Sequence, residues 1–549
     1  MIFAFVLRFA FRFLVAADNS TRTKIDAPSC ARDHLPIPIV AKMFFPTRRR
    51  AWWPFVVVAV IIFLMIKFQL SDGSSNLSDS DSNARAAHHP AQKPKANSGP
   101  AVAADDTDAV KFLRSQRLRE FWDELFESLT DGDIGVEELG ISDDGVSTEY
   151  VDPNSNYGGE RVRENHLNIS DEQIISMRNH YISFASKIEP LASRMPYWKN
   201  TRGVVMPGGG KYTRIALSSI LLLRHVGCKL PIQVFIDNHS EYNPHICENT
   251  FARLGVECVV FQDLIGDTRI GTYQYKVLSI IFSPFQHVLF LDADAWPLAD
   301  PAFLFDTEPY KSNGLITFPD FWVSTASPAF FNITGTPMNS PMERRSSESG
   351  ILLYNKEIHA DSLILASYFN FYGPGRYYKL LTQGTHGEGD KETYLHAALN
   401  LGKPFYDVKE QNSILGRHIR GNFQGSGMVQ HDPNDDWKLQ EHIRAKGEPK
   451  KTKDDKIVKA KPLFIHHNLW KIDLYDLGND LSPIHDLNDQ GKLSRMWGDQ
   501  KELFGRIGYD AEEMMFRVLV SSKCRVTTPR EECRRLWKYC QTIFKPATR

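Results

Sequence analysis

The stretch His287-Val-Leu-Phe-Leu-Asp-Ala-Asp-Ala-Trp-Pro-Leu-Ala-Asp-Pro301 constrains the fold more than any other part of the chain. Four apolar residues, Val288 to Leu291, run straight into Asp292-Ala293-Asp294, and Pro297 and Pro301 forbid a regular continuation. An apolar run this short, closed by turn residues, predicts a strand buried in a parallel sheet. Open α/β sheets bind ligands beyond the carboxyl ends of their strands, which is where Asp292 and Asp294 fall. Alternate residues of an extended chain share a side, so both carboxylates can converge on one cation. Oxygen ligation suits Mg²⁺ or Mn²⁺ bridging a diphosphate. Taken alone, the triplet reads equally well as a helix cap followed by a solvated Asp; the strand-end setting favours the cation.

The chain before this stretch traces the same kind of sheet. Gly203-Val-Val-Met206 is a short apolar run that meets Pro207-Gly208-Gly209-Gly210-Lys211-Tyr212. Helices are predicted over 213–226 and 248–254, and strands over 231–236 and 256–261. Tyr275-Lys276 opens a further helix to Phe282 that leads into the Asp-x-Asp strand. This alternation with short links predicts an α/β doubly wound sheet with right-handed crossovers. Three glycines between strand and helix let backbone approach a phosphate closely. A P-loop is excluded, because Val205 stands where its first glycine is required and Tyr212 replaces Ser/Thr. A plain strand-to-helix turn explains the glycines equally well.

Downstream, strands are predicted at 314–318, ending in Pro319-Asp320-Phe321-Trp322, and at 351–354, preceded by Glu348-Ser349-Gly350. A helix through Ala366 leads into the aromatic segment Tyr368 to Tyr378, a surface suited to sugar rings or simply to a core. Gln383-Gly-Thr-His386-Gly-Glu388-Gly-Asp390-Lys391-Glu392-Thr393-Tyr394 places acidic and basic groups at a loop-to-helix junction, where Asp390 would otherwise serve as an N-cap. Residues 432–461, charged and lysine-rich, read as a surface loop. A strand at 462–465 carries His466-His467-Asn468 at its end, with Lys471 beyond. A histidine there can complete a metal site begun by carboxylates, and a lysine can neutralise a leaving phosphate.

Residues 48–70 set the compartment. Arg48-Arg49-Arg50 precede sixteen uncharged residues, Ala51 to Ile66, and Phe68 and Leu70 lengthen the apolar run past Lys67. Arginines on the amino side and interfacial Trp52 and Trp53 predict a single-pass type II anchor over 51–70, with 1–50 cytoplasmic and the remainder luminal. Residues 71–108, poor in large apolar side chains, are expected to form a disordered stem. Leu118, Phe121, Trp122, Leu125 and Leu129 then mark an amphipathic helix within 109–160, followed by an acidic loop, and 161–549 is the main domain. The helix is expected to pack on that domain in preference to pairing with another chain. Ser170-Asp-Glu-Gln173 is a capping box opening a helix to about Ile188. Six of the seven cysteines follow the anchor, as do sequons at Asn76, Asn168, Asn238 and Asn332, which agrees with an oxidising lumen. Cys524, Cys533 and Cys540 are expected to staple the tail, with connectivity left open. A formal net charge of −1 and no basic–aromatic interleaving exclude nucleic acid as the partner.

With these motifs assembled, the chain resembles the fungal Golgi α-mannosyltransferases of glycosyltransferase family 71, from about Ser170 to Lys471. The resemblance is carried by Arg202-Gly-Val-Val, Leu222-Leu-Arg-His-Val-Gly with Leu230-Pro-Ile, Val288-Leu-Phe-Leu-Asp-Ala-Asp-Ala-Trp-Pro-Leu, Phe318-Pro-Asp-Phe-Trp, Glu348-Ser-Gly, Gly387-Glu-Gly-Asp-Lys-Glu-Thr and Ile465-His-His-Asn. The acidic loop and the Leu/Ala helix before it look most like the branch-forming α-1,2 members, with α-1,3 transfer as the alternative. It implies a GT-A type fold with a mixed, mostly parallel sheet, GDP-mannose as donor, Mn²⁺ (or Mg²⁺) as cofactor and a mannose-terminated glycan as acceptor, for outer-chain or cell-wall mannan.

Carried onto this sequence, Asp292 and Asp294 hold the metal and the ribose-diphosphate region, with His466 or His467 as the further ligand. The expected donor site adds Gly208, Gly209, Gly210, Lys276 and Lys471. Asp320, Trp322 and Glu348 fall to the acceptor, and Asp390, Glu392 and Glu388 are the catalytic carboxylates to choose among. A homodimer or a Golgi multi-enzyme complex is the expected assembly. The rival readings are a catalytically silent glycan-binding or assembly subunit on the same fold, and a UDP-sugar donor. Met1 to Ala17 is apolar but broken by Arg8 and Arg12, whereas Met43 would begin a short basic tail directly before the anchor. The functional product is therefore expected to begin at Met43; peptides from residues 1–42 in the purified native protein would overturn this.

Overall fold

The computed structural model describes residues 108–155, 160–267, 270–271, 273–338, 344–479, 482–525 and 530–544. The predicted cytoplasmic tail and anchor, and the stem up to residue 107, lie outside these residues. No helix among the described residues is long and apolar enough to cross a membrane.

The strands that build the two main sheets are β1 (Trp198–Pro207), β2 (Ile232–Ile236), β3 (Val256–Val260), β4 (Phe285–Leu291), β5 (Ala295–Pro297) and β6 (Leu315–Val323). They continue with β7 (Arg345–Asn355), β8 (Tyr406–Asp407), β9 (Ser413–Ile419), β10 (Asn422–His431) and β11 (Pro462–His466). The longer helices are α1 (Asp108–Thr130), α2 (Asp171–Ala185), α3 (Lys211–His225), α4 (Gln274–Phe282) and α5 (Lys356–Phe371). After them come α6 (Thr393–Asn400), α7 (Pro433–Lys446), α8 (Gln500–Ile507), α9 (Ala511–Arg525) and α10 (Arg530–Ile543).

Seven strands form a mixed sheet in the order β8-β6-β7-β4-β1-β2-β3. All neighbours are parallel except that β7 runs antiparallel to both β6 and β4. Both faces are covered, as the continuous apolar runs require. On one face Val204, Met206, Leu289 and Leu291 pack with α3, α9 and α10. On the other, Val205, Val288 and Phe290 pack with α1, α2, α4, α5 and α6. Val288 to Leu291 have no exposed surface, and full burial of such a side chain contributes about 1.5–3 kcal/mol.

The four-stranded antiparallel sheet β9-β10-β11-β5 begins where the first sheet ends. After Leu291 the chain turns through Asp292-Ala293-Asp294 and re-enters pairing as β5, with Ala295 opposite His466 and Trp296 opposite Ile465. The Asp-x-Asp triplet is thus the hinge between two sheets.

α1 lies on the domain: Leu118, Phe121, Trp122, Leu125 and Leu129 are buried, and Trp122 meets Phe282 edge-on at 6.0 Å. The capping box at Ser170 forms with both of its hydrogen bonds. Three expectations need correction. Residues 433–446 form α7 in place of a surface loop, because Asp432 caps its start, Pro433 occupies the first turn and Gly447 ends it at φ 74°. The helix predicted at 248–254 forms but starts earlier, as a π-helix over His245–Phe251. The C-terminal cysteine region is three packed helices, with Cys524 bonded to Cys533 and Cys540 a buried thiol; a second disulfide joins Cys247 to Cys258.

Glu512 on α9 is fully buried and accepts hydrogen bonds from the amides of Met496 (2.6 Å) and Trp497 (3.2 Å). Burial raises its carboxyl from 4.5 to about 7, against the pull of Arg495 and the two amides. Between these values the unfolded chain has released the proton and the folded chain retains it. Stability is therefore highest at the acid end of this window and falls as pH rises through it. Melting temperatures measured across pH 5–8 are expected to show this decline, and Glu512→Gln to flatten it; an unchanged slope in the variant would assign the decline elsewhere.

Candidate active site

β4 delivers Asp292 and Asp294, and β11 delivers His466 beside them. One ligand atom from each of the three lies within 4.8 Å of the others. His466 Nε2 stands 3.2 Å from Asp294 and 3.8 Å from Asp292. The triplet is clamped by backbone: the Asp292 amide donates to Gly350 O (2.7 Å), the His467 amide donates to Asp294 O (2.9 Å), and Ser219 Oγ donates to Ala293 O (2.7 Å). Two carboxylates and an imidazole held by paired strands form a donor set that fits a divalent cation such as Mn²⁺, Mg²⁺ or Zn²⁺.

Positive charge rings these carboxylates. Lys276 Nζ donates to Asp292 at 2.8 Å and to Ser349 Oγ at 3.3 Å, and lies 3.7 Å from Asp390. Lys471 donates to Asp294 and sits 5.9 Å above the Tyr212 ring. Burial works against the charge on Lys276, but Asp292 and Asp390 outweigh it and hold the ammonium above its ordinary value. Burial likewise opposes ionisation of Asp294, while His466 and Lys471 overcome it and keep the carboxyl well below its usual range. For His466 the desolvation cost is outweighed by Glu348 and Asp294, which raise it well above the usual imidazole value.

Asp390 comes to this centre from the acidic loop. Ser349 Oγ (2.9 Å) and Tyr394 OH (3.1 Å) donate to it, and burial raises its pKa in spite of Lys276. It does not cap α6 with its side chain; its carbonyl oxygen takes the Thr393 amide instead, at 2.9 Å.

Several other expected residues fall elsewhere. His467 is not part of the metal cluster: its ring is stacked near Trp296 and Trp497, and burial drives its pKa down to about 3, leaving it neutral. Glu392 is fully buried in a structural network. Arg344 (2.9 Å), Ser324 (2.8 Å), His396 and the Ser347 amide take up its oxygens, and despite its burial Arg344 holds it well below the usual range. Gly208, Gly209 and Gly210 offer no free amides, since these donate to Phe235 O (2.7 Å), Thr213 Oγ1 (2.9 Å) and Glu241 O (3.2 Å). At Gly208 the demand is steric, since a Cβ there would lie 2.5 Å from Val234 Cγ1, whereas Gly209 and Gly210 stand at φ 100° and 50°. Glu348 is buried beside His466 Nδ1 at 2.8 Å.

Asp320 is paired with Lys391 at 2.8 Å, and Trp322, half-buried, lies 4.6 Å from the His386 ring. Glu388 is half-buried beside Thr382 Oγ1 at 3.4 Å. Reasoning from sequence missed Ser349 and Tyr394 as partners of Asp390; the Glu-Ser-Gly run was the available signal for the first.

The family described as "Mannosyltransferase putative" matches residues 201–346 and 338–432. Among curated proteins, the chain is 33% identical to the α-1,2-mannosyltransferase MNN21 of Candida albicans, over 64% of this chain and 62% of that protein. It is 29% identical to MNN23 of the same organism, over 72% of this chain and 76% of that protein. It is also 29% identical to MNN5 of Saccharomyces cerevisiae, over 62% of this chain and 69% of that protein. The match to MNN21 thus spans about three-fifths of that protein's length. Among solved structures, the glycosyltransferase GlyE of Streptococcus pneumoniae aligns with 38% of this chain and 46% of its own, at 16% identity and a TM-score of 0.23, a likeness too slight to bear on the fold. The chain is thus similar, over its central part, to the mannosyltransferase family of that model and to these relatives.

Removing the charge of Glu392 leaves the buried Arg344 with the more distant Asp407, at 3.6 Å, as its carboxylate partner and with Ser347 Oγ, at 2.6 Å, as a neutral one. Glu392→Gln is expected to lower stability by about 3 kcal/mol, read from the denaturation midpoint. Native stability with a selective loss of turnover would return Glu392 to the catalytic set.

Proposed function

We propose that the chain is a metal-dependent α-mannosyltransferase with a GT-A type fold. It takes GDP-mannose as donor and a mannose-terminated glycan as acceptor, and makes an α-1,2 linkage with retention. The observation that carries this reading is the convergence of Asp292, Asp294 and His466 at the carboxyl end of β4, with Lys276, Lys471 and Asp390 around them. The likeness to the mannosyltransferase family model and the names of the relatives support the sugar and the linkage.

In this reading Asp292, Asp294 and His466 hold Mn²⁺, which when bound supplies Lewis-acid stabilisation of the departing diphosphate. The remaining work falls to the chain. Lys276 and Lys471, already on the carboxylates, place fixed positive charge where the diphosphate leaves. Asp390, oriented by Ser349 and Tyr394, is the carboxylate we set against the positive charge that develops on the sugar. Glu392 takes no part, because its oxygens are engaged by Arg344 and its neighbours. Asp320 with Lys391, and Trp322 with His386, are the groups we assign to the acceptor glycan. Retention follows because both donor and product are α-linked.

The proposed location is the Golgi membrane, with a type II anchor at 51–70 and the catalytic domain in the lumen. Two disulfides and exposed sequon asparagines at Asn168 and Asn332 support that placement.

The full chain incubated with GDP-mannose, Mn²⁺ and a mannobiose acceptor is expected to yield an α-1,2-linked product, established by linkage analysis. Asp294→Asn is expected to lower transfer at least about 10²-fold while the chain is still expressed. Undiminished turnover by this variant would refute the site, and transfer only from a UDP-sugar would refute the donor.

A further inference from the structure

We propose that Glu348 is the positioning residue that fixes His466 as the nitrogen ligand of the cation, an inference that rests on the metal reading of the Asp292–Asp294–His466 cluster.

The two nitrogens of the His466 ring face different groups. Nδ1 lies 2.8 Å from Glu348 Oε1, whereas Nε2 faces Asp294 at 3.2 Å and Asp292 at 3.8 Å. The approach is an ion pair, Nδ1 forming no aligned hydrogen bond among the described residues, and a carboxylate this near Nδ1 favours a proton there by charge and leaves the Nε2 lone pair for a metal. Glu348 therefore stands on the far side of the imidazole from the carboxylates, behind the ring and outside the ligand set.

The backbone around Glu348 is arranged for this contact. The Gly350 amide donates to Glu348 Oε1, fixing the carboxylate two residues away on the same strand. Gly350 has no side chain, and a Cβ built there would fall 2.4 Å from His466 Cε1 and 2.5 Å from Glu348 Oε1. The carbonyl of that same glycine takes the Asp292 amide at 2.7 Å. One short piece of β7 thus holds a carboxylate ligand from β4 and the histidine from β11.

Folding alone gives little reason for Glu348. The residue is 6% exposed, and its Oε2 has no hydrogen-bond partner among the described residues, an arrangement that costs stability. Nor does its burial behind His466 suit contact with an acceptor sugar.

The test uses the full-length chain and Mn²⁺ titrations followed by the EPR signal of free Mn²⁺. Glu348→Gln is expected to weaken Mn²⁺ binding by about 10–100-fold and to raise the Mn²⁺ concentration for half-maximal transfer equally. The kcat at saturating Mn²⁺ and the KM for acceptor should stay within about twofold of the parent. Glu348→Asp, which keeps the charge on a shorter arm, is expected to recover part of the affinity. His466→Ala should show a loss at least as large as that of Glu348→Gln. Unchanged Mn²⁺ affinity in Glu348→Gln beside a loss in His466→Ala would overturn the role of Glu348 alone, as would a raised acceptor KM at normal Mn²⁺ affinity. A parent protein that binds no Mn²⁺ would instead take down the metal reading itself.

Discussion

The hydrogen bond from the Asp292 amide to Gly350 O is the constraint on which the site depends. It is the last rung of the β4–β7 ladder, and immediately beyond it the chain leaves one sheet for the other. Without that rung Asp292 would be the start of a loose turn. With it, the two aspartates are set at a fixed distance from β11, because β5 must pair with β11 only three residues later. The short link between two rigid ladders is what allows a buried Asp294 to remain ionised. Its charge partners, His466 and Lys471, are brought by the second sheet and its continuation and do not depend on a mobile loop.

Much of the architecture was legible in the sequence, for a physical reason. Strand segments buried on both faces are mostly apolar, so the inner parts of β1, β2 and β4 stood out as short runs ending before glycine or aspartate, with Gln233 in β2 as an exception. The capping box before α2 and the apolar stripe of α1 were equally plain. α7 was misread because composition hid it: few of its residues are buried, so no apolar stripe marks the helix, although its cap, proline and terminal glycine were all present. The reversal of β7 had no local signature, since parallel and antiparallel buried strands carry similar side chains.

The site was legible in its parts but less so in its roles. Asp292 and Asp294 are identified by where their strand stops. His466 and His467 are neighbours in sequence, and only the alternation of β11 decides which of them faces the carboxylates; a strand's two faces cannot be told apart without knowing what lies on each. Asp390 and Glu392 show the same ambiguity. Two residues apart in one acidic loop, the first meets Lys276 and the second meets Arg344, and that difference is made by β7 and by Ser324 after β6, far away in the chain. In the triple glycine, freedom of approach is taken up at Gly208 by packing against β2, and all three amides are already occupied.

Gly350 turns this geometry into a way of reading other sequences. A side chain at that position would occupy the volume of the His466 ring, so a relative can keep both aspartates and the histidine and still be unable to assemble them. Within a family that shares this fold, the first mark of a centre gone silent need not be a missing ligand. It would be a methyl group on the neighbouring strand, at a residue that touches no substrate.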